Sequence, residues 1–165
     1  VAYAKGDLNA MKTYIDKASK INAAAPEVNV NRSLLALAQG NIEEAQTYIG
    51  RGTGADSYNE VLGNLCIATA NYGQAAGALA GKNTNSAALA QILNNDYSGA
   101  AKTLAAIKTS DATTDYLSAI LSARTGDATG VASNLRKAAA KDPSYAARAK
   151  KDLEFAKYAA AVNAL

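Results

Sequence analysis

The side chains of this chain that can do chemistry are carboxylates, hydroxyls, phenols, ammonium and guanidinium groups and one thiol, because histidine is absent. That absence removes the commonest general base and metal ligand, and disfavours Ser-His, Cys-His and zinc arrangements. Acid–base work would need two carboxylates brought together from distant helices, for instance one involving Glu60 or Glu154. Most other acids have a structural duty. Asp7, Asp96 and Asp127 stand where helices begin, and Glu43 and Glu44 fall in a first turn, where negative charge suits the helix dipole. No two carboxylates fall into a catalytic spacing. The sequence is therefore read as non-enzymatic, with no catalytic, metal or cofactor residues.

Other reactive patterns fail on context. Cys66, the single cysteine, lies in Val61-Leu62-Gly63-Asn64-Leu65-Cys66-Ile67-Ala68, which reads as a buried helix, so a small core residue is expected over a reactive thiol. Gly81-Lys82 resembles the end of a phosphate loop, but the glycine needed five positions earlier is Ala76 and no strand precedes it. Gly50, Gly52 and Gly54 follow a helix instead of a strand, which rules out a dinucleotide fingerprint. Asn31-Arg32-Ser33 fits the glycosylation tripeptide but sits at a helix start, and no modification is expected there. The basic residues from Arg136 to Lys157 are thinned by Asp142, Asp152 and Glu154, which describes a solvated helix face better than a nucleic-acid footprint.

The elements that must position these groups announce themselves by repetition. Gly6-Asp7-Leu8-Asn9-Ala10 leads to Met11 and Ile15, and Gly40-Asn41-Ile42-Glu43-Glu44 to Ala45 and Ile49. Ala70-Asn71-Tyr72-Gly73-Gln74 leads to Ala75 and Leu79, Asn95-Asp96-Tyr97-Ser98-Gly99 to Ala100 and Leu104, and Gly126-Asp127-Ala128-Thr129-Gly130 to Val131 and Leu135. The copies start 34, 30, 25 and 31 residues apart. The first residue tolerates the left-handed conformation that ends a helix, and the second accepts hydrogen bonds from the free N–H groups of the next one. The apolar pair at i and i+4 shares one face and points inward. Each copy thus predicts helix, tight turn, helix. The helices are expected over about 7–22, 27–39, 42–50, 57–70, 72–80, 85–94, 97–108, 113–125, 128–141 and 143–162. The last is expected to bury Tyr145, Ala149, Leu153, Ala156 and Ala160 as a capping helix. Pro26 and Pro143 fall at helix boundaries, and with no Trp and one Phe the interior must be Ala, Leu, Ile and Tyr. No apolar run approaches membrane-spanning length, and no stretch of these residues reads as a signal peptide.

Stacked units of this period are similar to the tetratricopeptide repeat, two antiparallel helices in about 34 residues. The last unit carries the resemblance best: Ala119 at the helix crossing, Gly126-Asp127 at the turn, Val131, Leu135 and Ala138 inward, Asp142-Pro143 at the close. Ser33, Gly63 and Ala88 take the crossing position in the earlier units. The chain departs from the family in the early aromatic of each first helix, in the short third spacing and in having one closing proline. The resemblance implies one all-α domain over 1–165, a right-handed α-solenoid of about five antiparallel helix pairs with a C-terminal capping helix. Residues 1–5 read as the last turn of a truncated first helix, so the chain is expected to be a fragment of a longer protein.

In such repeats first helices line the concave face. The resemblance therefore implies a groove edged by Glu60, Asn64, Lys82, Asn85, Tyr116 and Arg124, between Leu34, Leu89 and Ile120, able to hold an extended or helical peptide. Most of the nine tyrosines are expected to pack between units. The expected role is a non-enzymatic scaffold for a protein or peptide partner, an N-terminal domain of the same chain being one option, with no nucleic acid and no membrane insertion. The alternative is a structural spacer or assembly segment without a groove ligand. A groove filled by the chain's own residues would favour the spacer. Similar repeats rich in alanine, asparagine and tyrosine occur in bacterial secreted and cell-envelope proteins, which implies such a location.

Overall fold

The repeated phrase folds each time into the same corner. A computed structural model describes residues 6–165, and the helical turn expected over residues 1–5 lies outside the described residues. Among the described residues there is no strand, and the helices run in chain order. They are α1 Leu8–Asn22, α2 Pro26–Ala38, α3 Ile42–Ile49, α4 Tyr58–Ala68, α5 Tyr72–Ala78, α6 Asn85–Leu93, α7 Tyr97–Ala106, α8 Ala112–Thr125, α9 Ala128–Lys141, α10 Ser144–Ala149 and α11 Ala159–Asn163. The chain divides into two compact units, one ending at Leu79 and one running Ala80–Leu165, at the polar connector that shortens the third repeat spacing. In the first unit α2 pairs with α3 and α4 with α5, while α1 lies on α2; in the second α6 pairs with α7 and α8 with α9.

The first residue of all five copies is left-handed: Gly6 (φ 71°), Gly40 (78°), Ala70 (57°), Asn95 (62°) and Gly126 (81°). Where a described helix precedes, the next amide reaches back to close it, Asn41 to Ala36 O at 2.9 Å, Asn71 to Cys66 O at 2.8 Å, Asp96 to Gln91 O at 2.8 Å and Asp127 to Ser122 O at 2.9 Å. This is a Schellman closure, and the residue that completes it is already the cap of the following helix. Asp7, Asp96 and Asp127 each accept the third-residue N–H at 2.9 Å. Asn41 does so weakly at 3.5 Å, and Asn71 instead donates to Gln74 Oε1 at 2.8 Å.

All ten members of the apolar pairs are buried: Met11 and Ile15, Ala45 and Ile49, Ala75 and Leu79, Ala100 and Leu104, Val131 and Leu135. The crossing residues are buried as well. Ser33 donates its hydroxyl to Ala45 O at 2.8 Å, so a polar side chain is tolerated by satisfying a carbonyl across the hairpin. Gly63 is required by space, since a Cβ there would come within 2.4 Å of the Leu79 side chain. Cys66 on α4 is buried, and loss of solvation pushes its thiol up.

The end of the chain differs from the expected single helix over 143–162. It breaks into α10, a 3-10 segment Leu153–Tyr158, and α11. Asp152 is extended (φ −86°, ψ 120°) and its carboxylate caps the 3-10 segment by accepting the Glu154 N–H. The expected buried stripe is correspondingly wrong. Leu153 is 88% exposed, and Phe155 (1%) and Val162 (6%) are buried in its place. Asp152 and Glu154 are held by partners on α8, and those contacts outweigh the 3.6-residue spacing that favours a continuous helix.

Candidate functional site

Tyr116, Ile120 and Arg124 lie at i, i+4 and i+8 on α8, so one helix face carries all three. Against that face lies the 3-10 segment, and the contacts are specific. The Tyr116 hydroxyl donates to Asp152 Oδ2 at 2.6 Å. Arg124 Nε donates to Glu154 Oε2 at 3.0 Å while its terminal nitrogen pairs with Oε1, a two-point grip on one carboxylate. Arg124 also donates to Ile92 O at 3.1 Å, which locks the guanidinium in place. The Tyr158 hydroxyl donates to Ala123 O at 2.9 Å. The Phe155 ring meets Tyr116 edge-on, centroids 5.5 Å apart at 80°, and the Tyr145 ring lies against Tyr116 at 5.0 Å, tilted by 55°. The Arg148 guanidinium lies 4.9 Å from the Tyr116 ring centre.

Electrostatics follow from this burial. Loss of solvation is the largest reason the Tyr116 phenol is held above its ordinary value, with the Asp152 carboxylate as the second. Arg124 is raised by its hydrogen bond to Glu154. Both hydrogen-bond donors of α8 thus stay protonated at physiological pH, ready to hold carboxylates. Two clefts are lined in part by the segment. One of about 520 Å³ is lined by Ala123, Arg124, Asp152, Leu153 and Lys157 among others, and one of about 290 Å³ runs between Lys150, Phe155 and Val162.

The six residues expected at a groove edge meet different fates. Tyr116 is 1% exposed, which corrects its expected place at an open edge: its ring is core and its hydroxyl is taken. Arg124 is half-buried and engaged as above. Asn85 fastens the start of α6 to that of α8, donating to Asp111 Oδ1 at 3.0 Å and accepting from Thr114 Oγ1 at 2.9 Å. Lys82 is exposed in the connector. In the first unit Glu60 is exposed and Asn64 half-buried on α4. Of the apolar residues between them, Leu34 and Leu89 are half-buried and Ile120 is buried.

Asp152, Phe155 and Tyr158 were not expected at this face. Their sequence signal was available in the run Asp152-Leu153-Glu154-Phe155, which sets two acids just ahead of the chain's one Phe. Elsewhere in the first unit, Lys12, Asp16, Arg32, Gln39, Glu44 and Tyr48 line a cleft of about 330 Å³, with Arg32 stacked 5.2 Å from the Tyr48 ring centre and donating to Ser19 Oγ at 2.9 Å. Among the described residues no cluster of three or more acids and thiols is spaced to hold a metal ion, and no helix is long and apolar enough to cross a membrane. Comparison with protein-family models, with curated proteins and with solved structures gives no match to this chain.

Proposed function

We propose that this chain is a non-enzymatic scaffold of TPR-like helix pairs, stacked with right-handed twist within each unit, that holds a protein or peptide segment against its first helices. The observation that carries this reading is the α8 face. A first helix there already grips a short 3-10 segment through a tyrosine hydroxyl, a two-point arginine and an aromatic pocket. Those are the ingredients of peptide recognition: a few directional bonds set register around one buried anchor. In the first unit, Glu60 and Asn64, four residues apart, give α4 a polar edge. A cell-envelope location in a bacterium belongs to this proposal through the resemblance alone.

The second reading, a structural spacer, is favoured by the same contact seen from the other side. Phe155 and Tyr116 are both 1% exposed, so the chain fills this part of its own groove. Panning the full chain against a displayed peptide library separates the two. The scaffold yields enriched peptides whose affinity falls at least tenfold with Glu60→Lys and Asn64→Ala together, or with Arg124→Ala, and is unchanged by Lys102→Ala on α7. No enrichment, or peptides insensitive to every first-helix change, would sink the scaffold in favour of the spacer.

A further inference from the structure

We infer that the α8 face is a receptor for an acidic, aromatic peptide turn of the pattern Asp-x-Glu-Phe, and that residues 152–158 of this chain occupy it as a displaceable stand-in for that partner. The inference rests on the scaffold reading and supplies the chemistry of its ligand.

The occupant shows what the site selects. One oxygen of Asp152 takes the Tyr116 proton donor while the other caps the turn by accepting the Glu154 N–H at 3.0 Å. Glu154, two residues on, reaches Arg124, and Phe155 enters between Tyr116 and the surrounding core. The residue between the two acids, Leu153, touches little and is 88% exposed, so the pattern leaves that position free. On the receptor side each donor residue also has a hold outside the occupant: Arg124 donates to Ile92 O, and the Tyr116 ring packs against the Tyr145 ring and the Arg148 guanidinium. A preformed surface of protonated donors facing two carboxylates favours an acidic ligand and rejects a basic one.

Three features mark the segment as removable. It follows a turn at exposed Lys150 and Lys151, it is a 3-10 stretch in place of a continuous helix, and two clefts are lined in part by it. Its tether also makes it a strong competitor. A linked occupant acts at an effective concentration near the millimolar range, so a free peptide must displace it before binding. A site open one part in a hundred binds its ligand about a hundredfold more weakly than the open site would. Cutting the hooks of the internal occupant, with the α8 side chains untouched, should therefore raise affinity for the same peptide supplied in trans.

The test uses the full chain and a labelled synthetic peptide with the sequence of residues 151–165, its binding followed by fluorescence anisotropy. The full chain carrying Asp152→Asn and Glu154→Gln should bind the peptide at least tenfold more tightly than the unaltered chain. A peptide with Glu154→Gln and Phe155→Ala should lose that binding. With spin labels at Leu153→Cys and at Lys137→Cys on α9, Cys66 being buried, added peptide should broaden and lengthen the distance between the two labels. Equal affinity of the two full chains, or no binding to either while circular dichroism shows both folded, overturns the inference. So does dimerisation of the altered chain without added peptide, which would assign the face to a second copy. If library peptides bind at α4 while this peptide fails, the scaffold survives and the inference alone is lost.

Discussion

Leu135, 1% exposed, and Leu104, 9% exposed, are the large members of their inward pairs, and each is enclosed by helices on several sides. Replacing either with Ala removes three side-chain carbons from a packed interior and should destabilise the fold by about 2–5 kcal/mol. Chemical denaturation would show it, and a change under half a kcal/mol, on the order of surface substitutions, would mean the pairs are not where the repeat register puts them. Asp111 gives a prediction in pH. Burial raises its carboxyl, but the Thr114 N–H, the Thr114 hydroxyl and the Asn85 amide together outweigh that and hold it below its ordinary value of 3.8. A carboxyl depressed by folding stabilises the native state above its unfolded value, and that contribution disappears as pH falls through the lower folded one. The melting temperature of the unaltered chain should exceed that of Asp111→Asn at neutral pH, and the gap should close below about pH 4. A constant gap would show that the carboxylate's charge is not what the capping box uses.

At the scale of the element, the corner demands a backbone sign and not a particular residue. Ala70 is left-handed at φ 57° where Gly40 and Gly126 stand in sister corners. A residue with a Cβ loses roughly 1–2 kcal/mol in that conformation, and glycine gives back about 0.4–1 kcal/mol of that through the freer unfolded chain. Ala70→Gly should therefore stabilise by about 0.5–1 kcal/mol, and Gly126→Ala, with open space around the added Cβ, should destabilise by a similar amount. Thermal melts of the two variants moving in the same direction would contradict this account. The corners were legible because everything that makes them is local: a left-handed residue, a cap next to it, and an apolar pair within the following two turns. The C-terminal break was not legible, because Asp152 and Glu154 are drawn out of helix by Tyr116 and Arg124, some thirty residues away. Spacing placed Tyr145, Ala149 and Leu153 on one stripe, yet it carries no information on which bulky side chain finds a pocket. Volume decided for Phe155. Tyr116 was misread as an open edge for the same reason: its ring is covered by a segment distant in the chain, which spacing along α8 does not reveal.

For the molecule as a whole, the two units each bury an apolar cluster of their own, one around Val30, Ile49 and Leu65 and one around Ile92, Tyr116 and Leu135. The connector between them is exposed from Gly81 to Thr84. A specific protease site inserted between Gly81 and Lys82 should thus be cut readily in the folded protein, and both fragments should keep helical circular dichroism and cooperative melts. A fragment that loses its helix would mean its cluster is too small to stand alone.

The corners within hairpins are nearly invariant, 39–41, 69–71, 94–96 and 126–127, while the joints between hairpins run 23–25, 50–57, 79–84 and 107–111. A corner whose stop signal and start signal are adjacent residues has no slack, and an inserted amino acid there would separate the closure from the cap it feeds. Length can change in the joints and at helix ends without that penalty. A lineage of such chains should accordingly record its insertions and deletions between hairpins and keep the elbows free of them, so that repeat spacing drifts while every elbow still bends the same way.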